Sequence, residues 1–94
     1  MYHLVYTSHA KRPFIYTQLI ELLNQARIYN KAHDITGLLI YRNQKFIQVL
    51  EGERGAVDYL YSKIEMDIRH KKVTKVIVGE TEERIFRRPP QLRV

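Results

Sequence analysis

Apolar and polar positions change period along the chain, and each period predicts an element. Tyr2, Leu4 and Tyr6 alternate with His3, Val5 and Thr7, the two-residue repeat of a strand with one buried face. Past Lys11, Arg12 and Pro13, the residues Ile15, Leu19, Leu22, Leu23 and Ala26 recur at helical spacing, with Thr17 as the expected N-cap. Four residues further along that stripe stands Asn30. Ile35 to Tyr41 and Phe46 to Glu51 read as strands joined by the polar turn from Arg42 to Lys45, hence as a hairpin. After Gly52 a second helix is expected to carry Val57, Leu60, Tyr61, Ile64 and Ile68 as its apolar stripe, and Val73 to Val78 is a β-branched strand. Arg84 to Phe86 reads as the start of a last strand that Pro89 and Pro90 confine to an edge or end.

The order strand, helix, strand, strand, helix, strand is the split βαβ pattern. It predicts an α+β, ferredoxin-like βαββαβ(β) sandwich, a mixed sheet with two helices on one face, built as one domain over residues 1–94. In that topology the first and third strands are central neighbours. Tyr6 shares a face with Leu4, and Gln48 lies between Phe46 and Leu50, so both polar side chains are expected beside each other under the helices. A buried glutamine amide left unpaired costs about 1–3 kcal/mol per group, so Gln48 needs a partner. The plainer reading pairs it with the Tyr6 hydroxyl and a backbone group, or turns it outward, and pattern alone favours that reading.

Asn30 taken singly is an ordinary residue for a helix C-terminus. Lys63, Asp67 and His70 are expected as one column along the second helix, where a solvated ion pair is the plain explanation. Lys before Asp is the weaker order for such a pair. With Tyr6, Asn30 and Gln48 the column would line an apolar slot holding a few convergent polar groups, which describes a ligand pocket.

Composition narrows the classes. The 94 residues contain no cysteine, which removes disulfides, thiolate zinc sites and cysteine nucleophiles, and a reducing cytoplasm is the expected home. No apolar run suits a signal peptide or a membrane span. The net charge of +6 calls for an anion, and a module binding RNA or another anion is the competing reading. Glu80, Glu82 and Glu83 break the late basic run, however, and no nucleic-acid motif lies on it, so nucleic acid is disfavoured. A small-molecule domain regulating an attached partner is a second alternative. No hydrolytic carboxylate pair, serine triad or metal spacing among His3, His33 and His70 is apparent, so no enzyme is expected.

The segments Leu4–Ser8, Ala26–Arg27 with Asn30, Ile35–Leu39, Phe46–Gly52, Asp67–His70 and Arg84 with Phe86 run in the order and spacing of one family. In them the chain resembles the BLUF family, blue-light sensors using flavin. The resemblance implies an FMN or FAD ring held non-covalently between the helices, with Tyr6 and Gln48 as the photoactive pair and Asn30 on the ring's pyrimidine edge. It also implies Tyr29 packing on the ring, Lys63 and Arg69 at the phosphate, Asp67 at the ribityl hydroxyls and His70 at the far ring edge. The light signal would pass to a downstream protein partner or effector domain. The chain departs from the family at Pro89, Pro90 and Gln91, where a tryptophan, a small residue and a methionine are usual. It also ends short of the helices that commonly cover the other sheet face, so a homo-oligomer, a partner or a further C-terminal region is expected there.

Overall fold

In the computed structural model, residues 1–87 and the backbone of 91–93 are described. The elements are β1 (Tyr2–Ala10), α1 (Tyr16–Ala32), β2 (Thr36–Arg42), β3 (Lys45–Gly52), α2 (Arg54–Met66), β4 (His70–Glu80) and β5 (Gln91–Arg93). The sheet order is β4-β1-β3-β2-β5. The first four strands pair antiparallel and β5 lies parallel to β2, which makes the mixed, ferredoxin-like sheet.

Strand alternation sets the buried face. Tyr2, Leu4, Tyr6, Ser8 and Ala10 are buried along β1, as are Phe46, Gln48 and Leu50 along β3. Both helices cover that face, and they divide its core. On the α2 side Leu4, Tyr6, Leu50, Val57 and Tyr61 pack together, while on the α1 side Leu19, Leu23, Leu39 and Phe46 form a second cluster.

The β2–β3 hairpin closes with Arg42 opposite Lys45 and with Asn43 and Gln44 both left-handed, at φ 51° and 62°. That is the mirror-image turn whose twist matches the flanking strands. At the open end of the same hairpin, opposite Leu50, Gly37 is required by close approach. A Cβ there would sit 1.8 Å from the Val49 carbonyl oxygen.

Several expectations are corrected. The N-cap of α1 is Ile15 instead of Thr17, and the exposed amide is met by Gln18, whose Oε1 accepts from Ile15 N at 3.0 Å. Helix α2 stops at Met66, so Ile68 is not in its stripe and is 80% exposed. Asp67 causes the stop, because its carboxylate accepts from Arg69 N at 2.9 Å and competes with the next helical turn. Lys63, Asp67 and His70 therefore do not form a helical column: Lys63 is in the last turn of α2, Asp67 is its C-cap, and His70 opens β4. Arg84 to Phe86 form no strand; the last strand starts later, at Gln91. Pro89 and Pro90 lie outside the described residues.

The segment after β4 is instead anchored by side chains. Glu51, fully buried, accepts from the backbone N–H of Ile85 at 2.8 Å and of Phe86 at 2.6 Å, and contacts His3 Nε2 at 2.5 Å. Arg84 donates to Thr36 Oγ1 at 2.6 Å and to the Asp34 carbonyl at 2.7 Å. On that same sheet face, away from the helices, Val5, Val49 and Leu38 are half-buried and Ile77 is exposed.

Candidate functional site

A cavity of about 380 Å³ opens between the two core clusters, lined by Tyr6 and Gln48 from the sheet, Tyr29 and Asn30 from α1, Lys63 from α2, and Asp67, Arg69 and His70 from the connector into β4. All eight residues that the sequence singled out meet there. Leu22, Ala26, Leu39, Phe46, Leu60 and Ile64 supply apolar walls. These were legible only as core positions, since nothing in an aliphatic side chain distinguishes a cavity wall from a filled interior.

Tyr6 and Gln48 are directly opposite in the β1–β3 ladder, and the Tyr6 hydroxyl donates to Gln48 Oε1 in a buried hydrogen bond. Among the described residues no protein acceptor engages the Gln48 Nε2. Burial, and then the neighbouring Tyr61 and Asp67, push the Tyr6 hydroxyl well above its usual pKa, so it is a protonated donor throughout the physiological range. The Tyr61 ring packs edge-on against it at 5.6 Å.

Asn30 carries the clearest signal. Its side chain is fully buried in the last turn of α1, and among the described residues both its Nδ2 and its Oδ1 lack a hydrogen-bond partner. Leaving two amide groups unpaired costs about 1–3 kcal/mol each, so this residue is adverse for the fold unless something else enters the cavity. The missing group must accept from Nδ2 and donate to Oδ1 side by side. An imide or uracil-like edge, such as the pyrimidine end of a flavin ring, has that complement, and the residues present fit the ring that the sequence resemblance implies.

The connector is polarised. Arg69 binds Asp67 through Nε at 3.0 Å and Nη2 at 2.6 Å, and this pairing holds the Asp67 carboxyl below the usual carboxylate range. His70 is buried, with Ser8 Oγ at 3.0 Å from Nδ1 and the Phe46 ring edge-on at 4.9 Å. Burial, with a smaller contribution from Arg69, holds its pKa below that of a free histidine, and Asp67 opposes the shift. Lys63 Nζ sits over the Tyr29 ring at 5.3 Å and the Tyr59 ring at 4.9 Å, and Tyr29 stacks on His33 at 4.0 Å. The Asp67–Arg69 pair and the Ser8 contact were not read from the sequence; Ser8 falls two residues beyond Tyr6 on the same strand face, which was the available signal.

Comparison with known proteins agrees with this geometry. The model of the BLUF family, described as sensors of blue light using FAD, matches residues 1–89. The photoactivated adenylate cyclase subunit alpha of Euglena gracilis is 40% identical over 86 residues, covering 92% of this chain and 8% of that protein. A bacterial light-regulated adenylyl cyclase superposes with a TM-score of 0.94 at 29% identity over 98% of this chain and 27% of its own. The Klebsiella pneumoniae BlrP1 structure with FMN and cyclic diGMP does so at 0.88 and 30% identity, over 98% of this chain and 25% of its own. This chain thus spans a small part of the length of these multidomain relatives. On this agreement of sequence, fold and cavity, the chain belongs to the BLUF family of flavin-binding blue-light sensors.

Proposed function

We propose that Tyr6 and Gln48 are the photoactive pair of this sensor and that Asn30, Tyr29, Lys63, Asp67, Arg69 and His70 hold its flavin. The observation that carries the reading is the Tyr6–Gln48 hydrogen bond facing the same cavity as the unpartnered Asn30 amide. Asn30 takes the ring's pyrimidine edge and Tyr29 borders a ring face. Lys63 and Arg69 supply positive charge for a phosphate, and Asp67, already oriented by Arg69, keeps acceptor capacity for ribityl hydroxyls. His70 closes the far end as a neutral imidazole.

When bound, the flavin supplies blue-light absorption and a strong photo-oxidant. Tyr6 lines the cavity as an electron donor with a transferable proton, and its hydroxyl proton already points at Gln48 Oε1. The Tyr6 oxygen gives up proton and electron together and recovers both, so no substrate is consumed. Gln48 is left with its amide oxygen and nitrogen exchanged in direction. A glutamine suits this role because its two ends differ only in donor and acceptor character, so reorientation changes hydrogen bonding with little change in shape.

The relatives are joined to adenylate cyclase in two cases, and by analogy this sensor acts on an effector, in the same polypeptide or in a separate protein. Strand β3 offers a route, since Glu51, three residues beyond Gln48, holds the segment at Ile85 and Phe86 on the opposite sheet face. No helix among the described residues is long and apolar enough to cross a membrane. Among those residues no cluster suits a metal ion, and none of the relatives supports RNA binding.

The test is a pair of conservative variants. Gln48→Leu and Tyr6→Phe nearly preserve volume, so the yellow, flavin-loaded protein is expected from both. Both are expected to lose the light-induced red shift of the flavin absorption. A reversible red shift in either flavin-loaded variant would remove that residue from the photochemistry.

A further inference from the structure

Oxidation at Tyr6 places a radical beside a second tyrosine. The Tyr61 ring packs edge-on to Tyr6 with 5.6 Å between centroids. Two phenols in contact are nearly equal electron donors, so an oxidation at one can pass to the other and be lost to the light cycle. The two rings differ in what covers them. Lys75 Nζ stands over the Tyr61 ring, 5.0 Å from its centroid, and among the described residues no cation stands over Tyr6. The same cover recurs at other tyrosines around the seam. Lys63 lies over Tyr29 at 5.3 Å and over Tyr59 at 4.9 Å, and Arg54 lies over Tyr2 at 5.3 Å.

A break in the strand ladder places Lys75. Val5 pairs with Ile77 and Tyr6 with Lys75, so Val76 is an extra residue between them, a β-bulge. In a regular ladder Val76 would stand opposite Tyr6 under the helices, and Lys75 would fall on the open sheet face. With the bulge, Val76 is 56% exposed and Lys75 reaches Tyr61. An apolar side chain is thereby given up on the helix face for a cation, which packing alone does not explain.

We propose that Lys75 confines the light-driven oxidation to Tyr6 by making Tyr61 a poorer electron donor. The inference rests on the Tyr6–Gln48 photochemistry proposed above and deepens it. A cation over an aromatic face is attracted to the ring's electrons, and removing one of those electrons turns the attraction into repulsion. Glu65 is the opposing charge at Tyr61. In the step held back, Tyr61 passes one electron to the Tyr6 radical and its hydroxyl proton to solvent, while Tyr6 takes its own proton back from Gln48. The electron first taken from Tyr6 stays on the oxidant, the excited flavin. Tyr61 is left a neutral radical, and the return of the electron to Tyr6 that completes the cycle is lost.

Neither Lys75 nor Tyr61 lines the flavin cavity, so their variants should keep full flavin occupancy. The experiment uses flavin-loaded protein and reads two quantities. One is the yield of the red shift per absorbed photon; the other is the tyrosyl-radical signal in electron paramagnetic resonance of samples frozen under blue light. Lys75→Met, similar in length and uncharged, should raise the radical signal and lower the red-shift yield, each by roughly threefold, the effect of one solvent-screened charge at this separation. Lys75→Arg should behave as the unmodified protein. Adding Tyr61→Phe to Lys75→Met should restore the red-shift yield and remove the extra radical, because a phenylalanine ring does not donate to a phenoxyl radical. Adding Glu65→Gln to Lys75→Met should lower the extra radical in part. Radical and red-shift yields unchanged in Lys75→Met would overturn the proposal. So would a lowered yield that Tyr61→Phe fails to recover, which would give Lys75 a purely structural role. A flavin-loaded, unmodified protein with no red shift at all would overturn the Tyr6–Gln48 reading and this inference with it.

Discussion

Asn30 separates a functional requirement from a structural one. Among the described residues nothing meets its side-chain amide, so Asn30→Leu should leave the flavin-free fold as stable or more stable, by up to about 2 kcal/mol in urea unfolding, while weakening flavin at least tenfold by equilibrium dialysis. A variant that loses stability and keeps its flavin would assign Asn30 to the core. His70 makes a different prediction. Its folded pKa lies below the unfolded value near 6.5, so the unfolded chain takes up the proton first as pH falls, and stability is lost on acidification through and below about pH 6.5. Unfolding curves across that range should flatten in His70→Gln; an unchanged slope would place the acid sensitivity elsewhere. The site was more legible than its bonding. Tyr6, Gln48 and Asn30 stood out as polar residues interrupting apolar stripes, whereas the Asp67–Arg69 pair joins residues whose roles looked separate, because a local carboxylate-to-backbone turn leaves no periodic trace.

At the scale of elements, the regular strands and helices followed their periods to within a few residues, and the ends did not. Helix α2 ends at Met66 because Asp67 captures the Arg69 amide, and α1 begins without a hydroxyl cap because Gln18 reaches back to Ile15. Both are side-chain decisions that apolar spacing cannot register. Arg84 to Phe86 looked strand-like, yet this segment is fastened across the sheet through Glu51 and the Arg84 side chain, contacts more than thirty residues away in sequence. The β2–β3 hairpin holds an unspent gain in stability. Gln44 adopts a left-handed backbone at φ 62°, a conformation that costs a side-chain-bearing residue about 1 kcal/mol and glycine little. Gln44→Gly completes the Asn-Gly pair preferred in this turn and should raise the melting temperature by roughly 2–6 °C, after the entropy that glycine adds to the unfolded chain. A lower melting temperature would show that the Gln44 side chain contributes more than its backbone strain costs.

The whole molecule is a sheet whose covered face is divided between two helices, with the cavity in the seam and Tyr6 paired to Gln48 at its floor. A chain this small buries limited surface, and a planar ligand in the seam would join both halves of the core. Fold class could be read from the order of elements and a ligand pocket from the polar interruptions, and the ligand class was implied by the resemblance to the BLUF family; the division of the core could not be read, since it depends on how far apart the helices settle. The central claim is that light rearranges hydrogen bonds around an intact, non-covalent flavin. The most direct measurement is the visible spectrum of the flavin-loaded protein before, during and after blue illumination. A red shift of the flavin band that reverses in the dark, with flavin released unmodified on denaturation, is the predicted result. Persistent bleaching, or a flavin spectrum indifferent to light, would contradict the account.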